Sequence, residues 1–291
     1  MRIDSTGPRL PLDPDDEPRE PELNDRVMYV GMNTVQHQCD REAYALHAAV
    51  VIGHGERDKA VGADHVRVGD RVVDLATDAG AVEFAQSLGL PDAQTNVIAN
   101  VIRYSWHGSR DELAAIARVW SAAEKGGSVP SRLVLSGHCY GNSIWDAGDE
   151  NVGALVFANL RALASAMPRA AAHVEDVMIS ACSSGFVGAD VTDQRDSFAL
   201  WKTAFPNLKT AWGYASAKDY HSPTSEQAIL HIQAWEHATR GRVQTLDGKR
   251  ALDSYFDELR RENPNAKIGA PELGGNVSTW SASRGYVEGK G

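Results

Sequence analysis

From residue 97 to residue 240 the chain alternates short apolar runs with longer stretches of helix formers, and this rhythm narrows the fold more than any other feature. Apolar runs of roughly four to eight residues bounded by turn signals suit buried strands, and longer periodic stretches suit helices. Val97–Tyr104 (VIANVIRY) reads as a strand. Ser109 then caps a helix over Arg110–Lys125, with Asp111 and Glu112 in its first turn. Pro130 precedes a strand, Arg132–Ser136, and a loop over Gly137–Asn151 follows. A helix from about Gly153 to Met167 stops at Pro168, and Asp176–Ser180 (DVMIS) is the next strand. A short helix over Ser197–Phe205, a strand over Leu208–Tyr214 and a long helix over Thr224–Thr239 complete the series. Such alternation implies a three-layer α/β fold: a mostly parallel sheet with helices on both faces.

The flanks differ in character. Residues 1–25 hold five prolines and many acids with almost nothing to bury, which reads as a flexible arm. Val27–Gly31 is a short apolar run suited to a buried strand, and Asp40–Val51 reads as a helix. The stretch 53–92 is irregular, with Val66, Val68, Val72 and Val73 marking a small hairpin around Gly69-Asp70. The expected domain therefore spans residues 26–263. From Pro264 to Gly291 the chain is rich in Gly, Ser and Asn and reads as a tail over the surface.

Charge and cysteine usage exclude several classes. A net charge of −10 with dispersed Lys and Arg argues against nucleic acid or an anionic membrane as partner. No apolar run approaches the roughly 20 residues of a membrane-spanning helix, and the start lacks the apolar core of a signal peptide, so a cytoplasmic location is expected. Three widely spaced cysteines, Cys39, Cys139 and Cys182, make neither a disulfide framework nor a closed zinc site. No metal or other cofactor is expected.

Two strand ends carry reactive side chains. Leu133-Val134-Leu135-Ser136-Gly137-His138 is one, and Val177-Met178-Ile179-Ser180-Ala181-Cys182-Ser183-Ser184-Gly185 is the other. In open α/β sheets the ligand site lies beyond the carboxyl ends of the strands. A thiol attacks a carbonyl as thiolate, which a nearby imidazole generates or stabilises. Strand-Ser-Gly-His followed 44 residues later by strand-Ser-Ala-Cys-Ser-Ser-Gly resembles the caspase, metacaspase and legumain superfamily, its bacterial CHAT-type members included. That superfamily places its His after one strand and its Cys after the next.

The resemblance implies a caspase-like domain acting as a cysteine endopeptidase on a protein or peptide substrate. His138 is then the base and Cys182 the nucleophile. The backbone N–H groups of Cys182 and Cys139 form the oxyanion hole, although the residue after the His is usually Gly in the family. Ser180, two before the nucleophile, helps set the first specificity pocket. Being small and neutral, it points to no strict preference for Asp or for Arg/Lys. Trp212, Tyr214 and Ser216, in the segment Thr210–Ala217, line the substrate groove on the same reading, with core packing as the competing role of the two aromatics.

Other readings stay open. Gly137-His138-Cys139-Tyr140-Gly141 matches a Gly-x-Cys-x-Gly nucleophile elbow of an α/β-hydrolase esterase or lactonase, with His221 or His231 as base. An inactive caspase-like interaction module is another. Gly53-His54-Gly55 offers a second strand-end His, but 128 residues before Cys182. Asp146, Asp149 and Glu150 either orient His138 or form a solvated acidic loop. The polar segments 139–152 and 186–197 suggest latent activity that awaits cleavage or an activating partner.

Overall fold

The segments Val27–Gly31, Arg132–Ser136, Asp176–Ser180 and Thr210–Tyr214 are buried at every position. A strand has that property only where both faces of its sheet are covered. The computed structural model describes residues 26–32, 36–53, 62–140, 143–145, 154–181, 200–214, 225–240, 277–282 and 285–287, with Asp257 and Arg261. Its elements run β1 (Val27–Gly31), α1 (Gln36–Ala45), β2 (Val50–Gly53), β3 (His65–Val68), β4 (Arg71–Asp74), α2 (Asp78–Ser87), α3 (Asp92–Arg103) and α4 (Arg110–Glu124). Then come β5 (Arg132–Ser136), β6 (His138–Tyr140), β7 (Ser143–Trp145), β8 (Ala154–Val156), α5 (Phe157–Ala166), α6 (Pro168–His173) and β9 (Asp176–Ser180). A short helix α7 over 200–204 leads to β10 (Thr210–Tyr214), α8 (Ser225–Arg240), β11 (Val277–Ser281) and β12 (Gly285–Val287).

Seven strands form the central sheet in the order β12-β11-β10-β9-β5-β1-β2. The block from β10 to β2 is parallel, and β11 and β12 extend it antiparallel. Strand alternation divides the core between two faces. Met28, Val30, Leu133, Leu135, Val177 and Ile179 pack with α2 to α7. Val27, Tyr29, Val134, Met178 and Trp212 pack with α1 and α8. The three-layer α/β expectation holds at that level.

Several boundaries depart from the sequence reading. VIANVIRY is not a strand but most of α3, because Thr95, Ile98, Ala99 and Ile102 recur at helical spacing and bury one face. The helix expected over Asp40–Val51 ends at Ala45, and its last apolar residues form β2 beside β1. A further helix, α2, lies inside the stretch read as irregular, where Thr77 caps it by accepting from the Gly80 N–H at 3.1 Å. The hairpin around Gly69-Asp70 is present as β3 and β4. The helix expected from Gly153 is preceded by β8, and Pro168 does not end the helical region but opens α6 at its first turn. Ala282 continues the same edge, its N–H donating to the Lys209 carbonyl at 3.0 Å. The stretch expected as a surface tail thus supplies β11 and β12, because Val277 and Thr279 bury against the β10 edge.

The helix α4 begins as expected at Ser109, but the Ser109 side chain makes no cap bond. The buried Asp64, from before β3, substitutes. Its carboxyl accepts from the Gly108 N–H at 2.8 Å, the Arg110 N–H at 3.3 Å and the Arg110 guanidinium at 3.0 Å, and it also pairs with His107. Gln94 near the start of α3 donates to Glu124 at the end of α4 at 3.2 Å, so these helices are antiparallel. The turn between them, residues 104–109, therefore lies at the carboxyl edge of the sheet, where α4 starts its crossover back to β5.

Candidate active site

Both reactive strand ends lie on adjacent parallel strands. β5 and β9 pair in register from Arg132↔Asp176 to Ser136↔Ser180. The pairing continues one residue further, since the Gly137 N–H donates to the Ser180 carbonyl at 3.2 Å. On the other side of β5 the Met32 N–H donates to the Ser136 carbonyl at 2.7 Å, which ties in the end of β1. His138 then leaves the central sheet as the first residue of β6, paired with Trp145 of β7, and its side chain is exposed. Ala181 is buried at the matching end of β9. Cys182, the next residue, lies outside the described residues, as do Ser216, His221, His54 and the acidic positions 146, 149 and 150.

A buried polar cluster sits at these strand ends that sequence reasoning missed. Glu42, on α1 and fully buried, accepts from the Tyr29 hydroxyl at 2.7 Å and from the Ser136 hydroxyl at 2.5 Å. Burial, and then the charge of Glu42, push the Tyr29 hydroxyl well above its ordinary pKa, so it stays protonated and donates. Gly31 makes this fit possible: a Cβ there would stand 2.8 Å from both the Cys39 sulfur and the Tyr29 ring. The only sequence signal was an acid three residues after Cys39 on an otherwise plain helix.

Ser180 is 6% exposed, and its hydroxyl has no hydrogen-bond partner among the described residues. Trp212 and Tyr214, expected along a substrate groove, are instead core residues of the face covered by α1 and α8. Their rings are buried because β10 is an interior strand, and the Tyr214 hydroxyl lies 3.0 Å from His231 Nδ1 in α8. His231 is thus engaged inside that core.

The chain enters no helix after Cys139. It forms β6, in which Cys139 pairs with Ile144, and this part of the expected loop from Gly137 is a three-stranded antiparallel sheet with β7 and β8. A nucleophile elbow needs a helix immediately after its nucleophile. Gly53, which precedes His54, ends the edge strand β2, with β1 and β5 between it and β9.

The opposite edge holds a second ionic group. Asp176 at the start of β9 accepts from the Thr210 hydroxyl at 2.5 Å, and burial pushes its carboxyl up to about 6. Its register partner Arg132 pairs with Glu236 at 3.2 Å. Lying at the amino ends of the strands, this group serves the fold. Among the described residues no cluster of three His, Cys, Asp or Glu side chains is placed to hold a metal ion. None of their helices is long and apolar enough to cross a membrane. No protein-family model matches the chain, and no match was found among curated proteins or solved structures.

Proposed function

We propose that the chain is a caspase-like cysteine endopeptidase using His138 and Cys182. The observation that carries this reading is the Ser136↔Ser180 register pair. His138 and Cys182 each follow their serine by two residues on neighbouring strands. Adjacent strands are about 4.8 Å apart, and two further residues span at most about 7 Å. Ser136 and Ser180, which these two residues follow in sequence, thus lie side by side at the carboxyl edge. The resembled superfamily has the same arrangement, with the His strand beside the Cys strand. The unpartnered buried hydroxyl of Ser180 supports it as well, since a group of this kind suits the wall of a pocket that a substrate completes.

On this reading the His138 imidazole takes the Cys182 thiol proton, and the thiolate attacks a peptide carbonyl carbon. The backbone N–H groups of Cys182 and Cys139 hold the resulting oxyanion. His138 returns the proton to the departing amine as the C–N bond breaks, leaving a thioester on Cys182. Water, deprotonated by His138, then attacks the thioester and releases the acid and the thiol. The test compares two variants on a fluorogenic peptide library and with a peptide electrophile. Cys182→Ala is expected to abolish both hydrolysis and labelling, whereas Cys139→Ala keeps substantial activity. The reverse outcome would establish the elbow at Cys139, and labelling of neither cysteine would leave a non-catalytic module.

A further inference from the structure

His138 stands where the chain changes sheets. β5 ends at Ser136 in the central sheet, Gly137 follows, and His138 is already the first residue of β6, which pairs with β7. A glycine at such a junction leaves the chain free to depart in many directions. The hold on the last residues before it therefore fixes where His138 goes.

The end of β5 is held on three sides. The Ser136 carbonyl accepts from the Met32 N–H at 2.7 Å, and the Gly137 N–H donates to the Ser180 carbonyl at 3.2 Å. These two bonds lie along the sheet and resist sliding of the strand end. The third comes from outside the sheet: the Ser136 hydroxyl donates to Glu42 at 2.5 Å. Glu42 rides on α1, which packs over the face that carries Val134 and Met178. The Tyr29 hydroxyl donates to the same carboxylate oxygen at 2.7 Å and steadies it. A bond running up to α1 resists tilting out of the sheet. Hydrogen bonds to an ionised acceptor are also about twice as strong as neutral ones.

Packing alone does not call for an acid at this place. Glu42 and Ser136 are both fully buried. Taking a carboxylate out of water is costly, and apolar side chains of similar volume often serve stability as well or better. An acid that bonds the strand end leading into a reactive His suits positioning.

We propose that Glu42 is a positioning residue for His138, acting through the Ser136 hydroxyl. Its catalytic consequence rests on the His138 and Cys182 reading. His138 follows Ser136 by two residues, at most about 7 Å of chain. A tilt at Ser136 is thus carried to the imidazole, and a misplacement of about 1 Å can cost on the order of a hundredfold in rate.

The test uses the full-length variants Ser136→Ala, Glu42→Leu, the two combined, and Glu42→Gln, which keeps an acceptor for the Ser136 hydroxyl. Rates on a fluorogenic peptide are referred to the folded fraction given by near-UV circular dichroism. Ser136→Ala and Glu42→Leu are each expected to lower kcat about tenfold or more, with KM within about twofold. The double variant is expected to be no slower than either, because both changes remove one linkage. Its stability recovers, since two facing apolar groups leave neither partner unsatisfied. Glu42→Gln is expected to stay within about threefold of the parent. A purely structural role would instead restore kcat together with stability in the double variant.

A second readout needs no turnover. With 13C-labelled histidine, the His138 ring signals are expected to shift or broaden in Ser136→Ala and Glu42→Leu. They stay as in the parent in Glu42→Gln, and the signals of His65 and His107 stay in all variants. Unchanged His138 signals, multiplied losses in the double variant, or a Glu42→Gln as slow as Glu42→Leu would overturn the proposal. A parent chain that hydrolyses no peptide and labels at no cysteine fails the peptidase reading, and the ring signals then still decide whether Glu42 places His138.

Discussion

Ser136 and Ser180 are register partners at the carboxyl ends of β5 and β9, both are buried, and their hydroxyls have opposite fates. Ser136 donates to Glu42 at 2.5 Å, while the Ser180 hydroxyl finds no partner among the described residues. A hydrogen bond to a charged group is worth about 1.5–3 kcal/mol, and a buried polar atom left unsatisfied costs about 1–3 kcal/mol.

The two serines are therefore expected to respond differently to removal of the hydroxyl. Ser136→Ala should cost about 2 kcal/mol, because Glu42 loses one donor in a fully buried site. Ser180→Ala should be neutral or slightly stabilising. Urea unfolding midpoints of the two variants decide this. A loss above about 1 kcal/mol for Ser180→Ala would mean that the hydroxyl is satisfied in solution by water or by the chain itself.

Asp176 sets a pH dependence whose sign is unusual for a carboxylate. Its folded value of about 6 lies above the ordinary 3.8, mainly through burial, with Glu175 adding and Thr210, Lys209 and Arg132 opposing. The folded state therefore binds the proton more tightly than the unfolded chain. The stability this provides is complete below the unfolded value and is lost as pH rises from about 4 to about 6, up to about 3 kcal/mol. Asp176→Asn keeps the acceptor for Thr210 and removes the charge. It should be more stable than the parent at pH 7, with the difference vanishing near pH 4. Thermal melts of both across that range test it, and a constant difference would show that Asp176 does not titrate there.

A chain ending at residue 276 lacks β11 and β12. Five register pairs, from Thr210↔Ser281 to Tyr214↔Val277, disappear and leave the outer edge of β10 open. The expected loss is at least about 3 kcal/mol from the ladder alone. An open, buried-type strand edge also templates association. Light scattering and denaturant titration should show a destabilised, self-associating protein. A monomer with an unchanged midpoint would mean that these strands add nothing to the sheet.

Most of the parallel core was legible because its strands are short and largely apolar, so β1, β5, β9 and β10 could be read within a residue or two, whereas β2 was read as the end of a helix. VIANVIRY misled because its β-branched residues favour a strand locally, while burial of Ile98 and Ile102 on one side decides for a helix. β11 and β12 escaped notice because their Ser, Thr and Gly content resembles a loop, and only pairing with β10 makes them strands. At the candidate site, Ser136, His138, Ser180 and Cys182 stood out by position at strand ends. Glu42 did not, since nothing in the α1 pattern tells that its side chain reaches across β1 to β5. Trp212 and Tyr214 read equally well as groove or core, and only the packing of α1 and α8 on that face of the sheet decides for core.

The register of the central strands also governs how quickly such a molecule can assemble. Tyr29 pairs with Val134, and Val134 with Met178, so β5 joins segments about a hundred and about forty residues away. Loops of that length must close before parallel pairing returns any free energy, which places folds of this kind among the slow ones, at milliseconds to seconds or longer. Helices α3 and α4, joined by a short turn, form on far faster local timescales. On dilution from denaturant the helical signal should thus recover first, and the neighbourhood of Ser136 and Ser180 only with the final phase. Under the proposed function, the chain would pass through its early, protease-sensitive states before its nucleophile is in place.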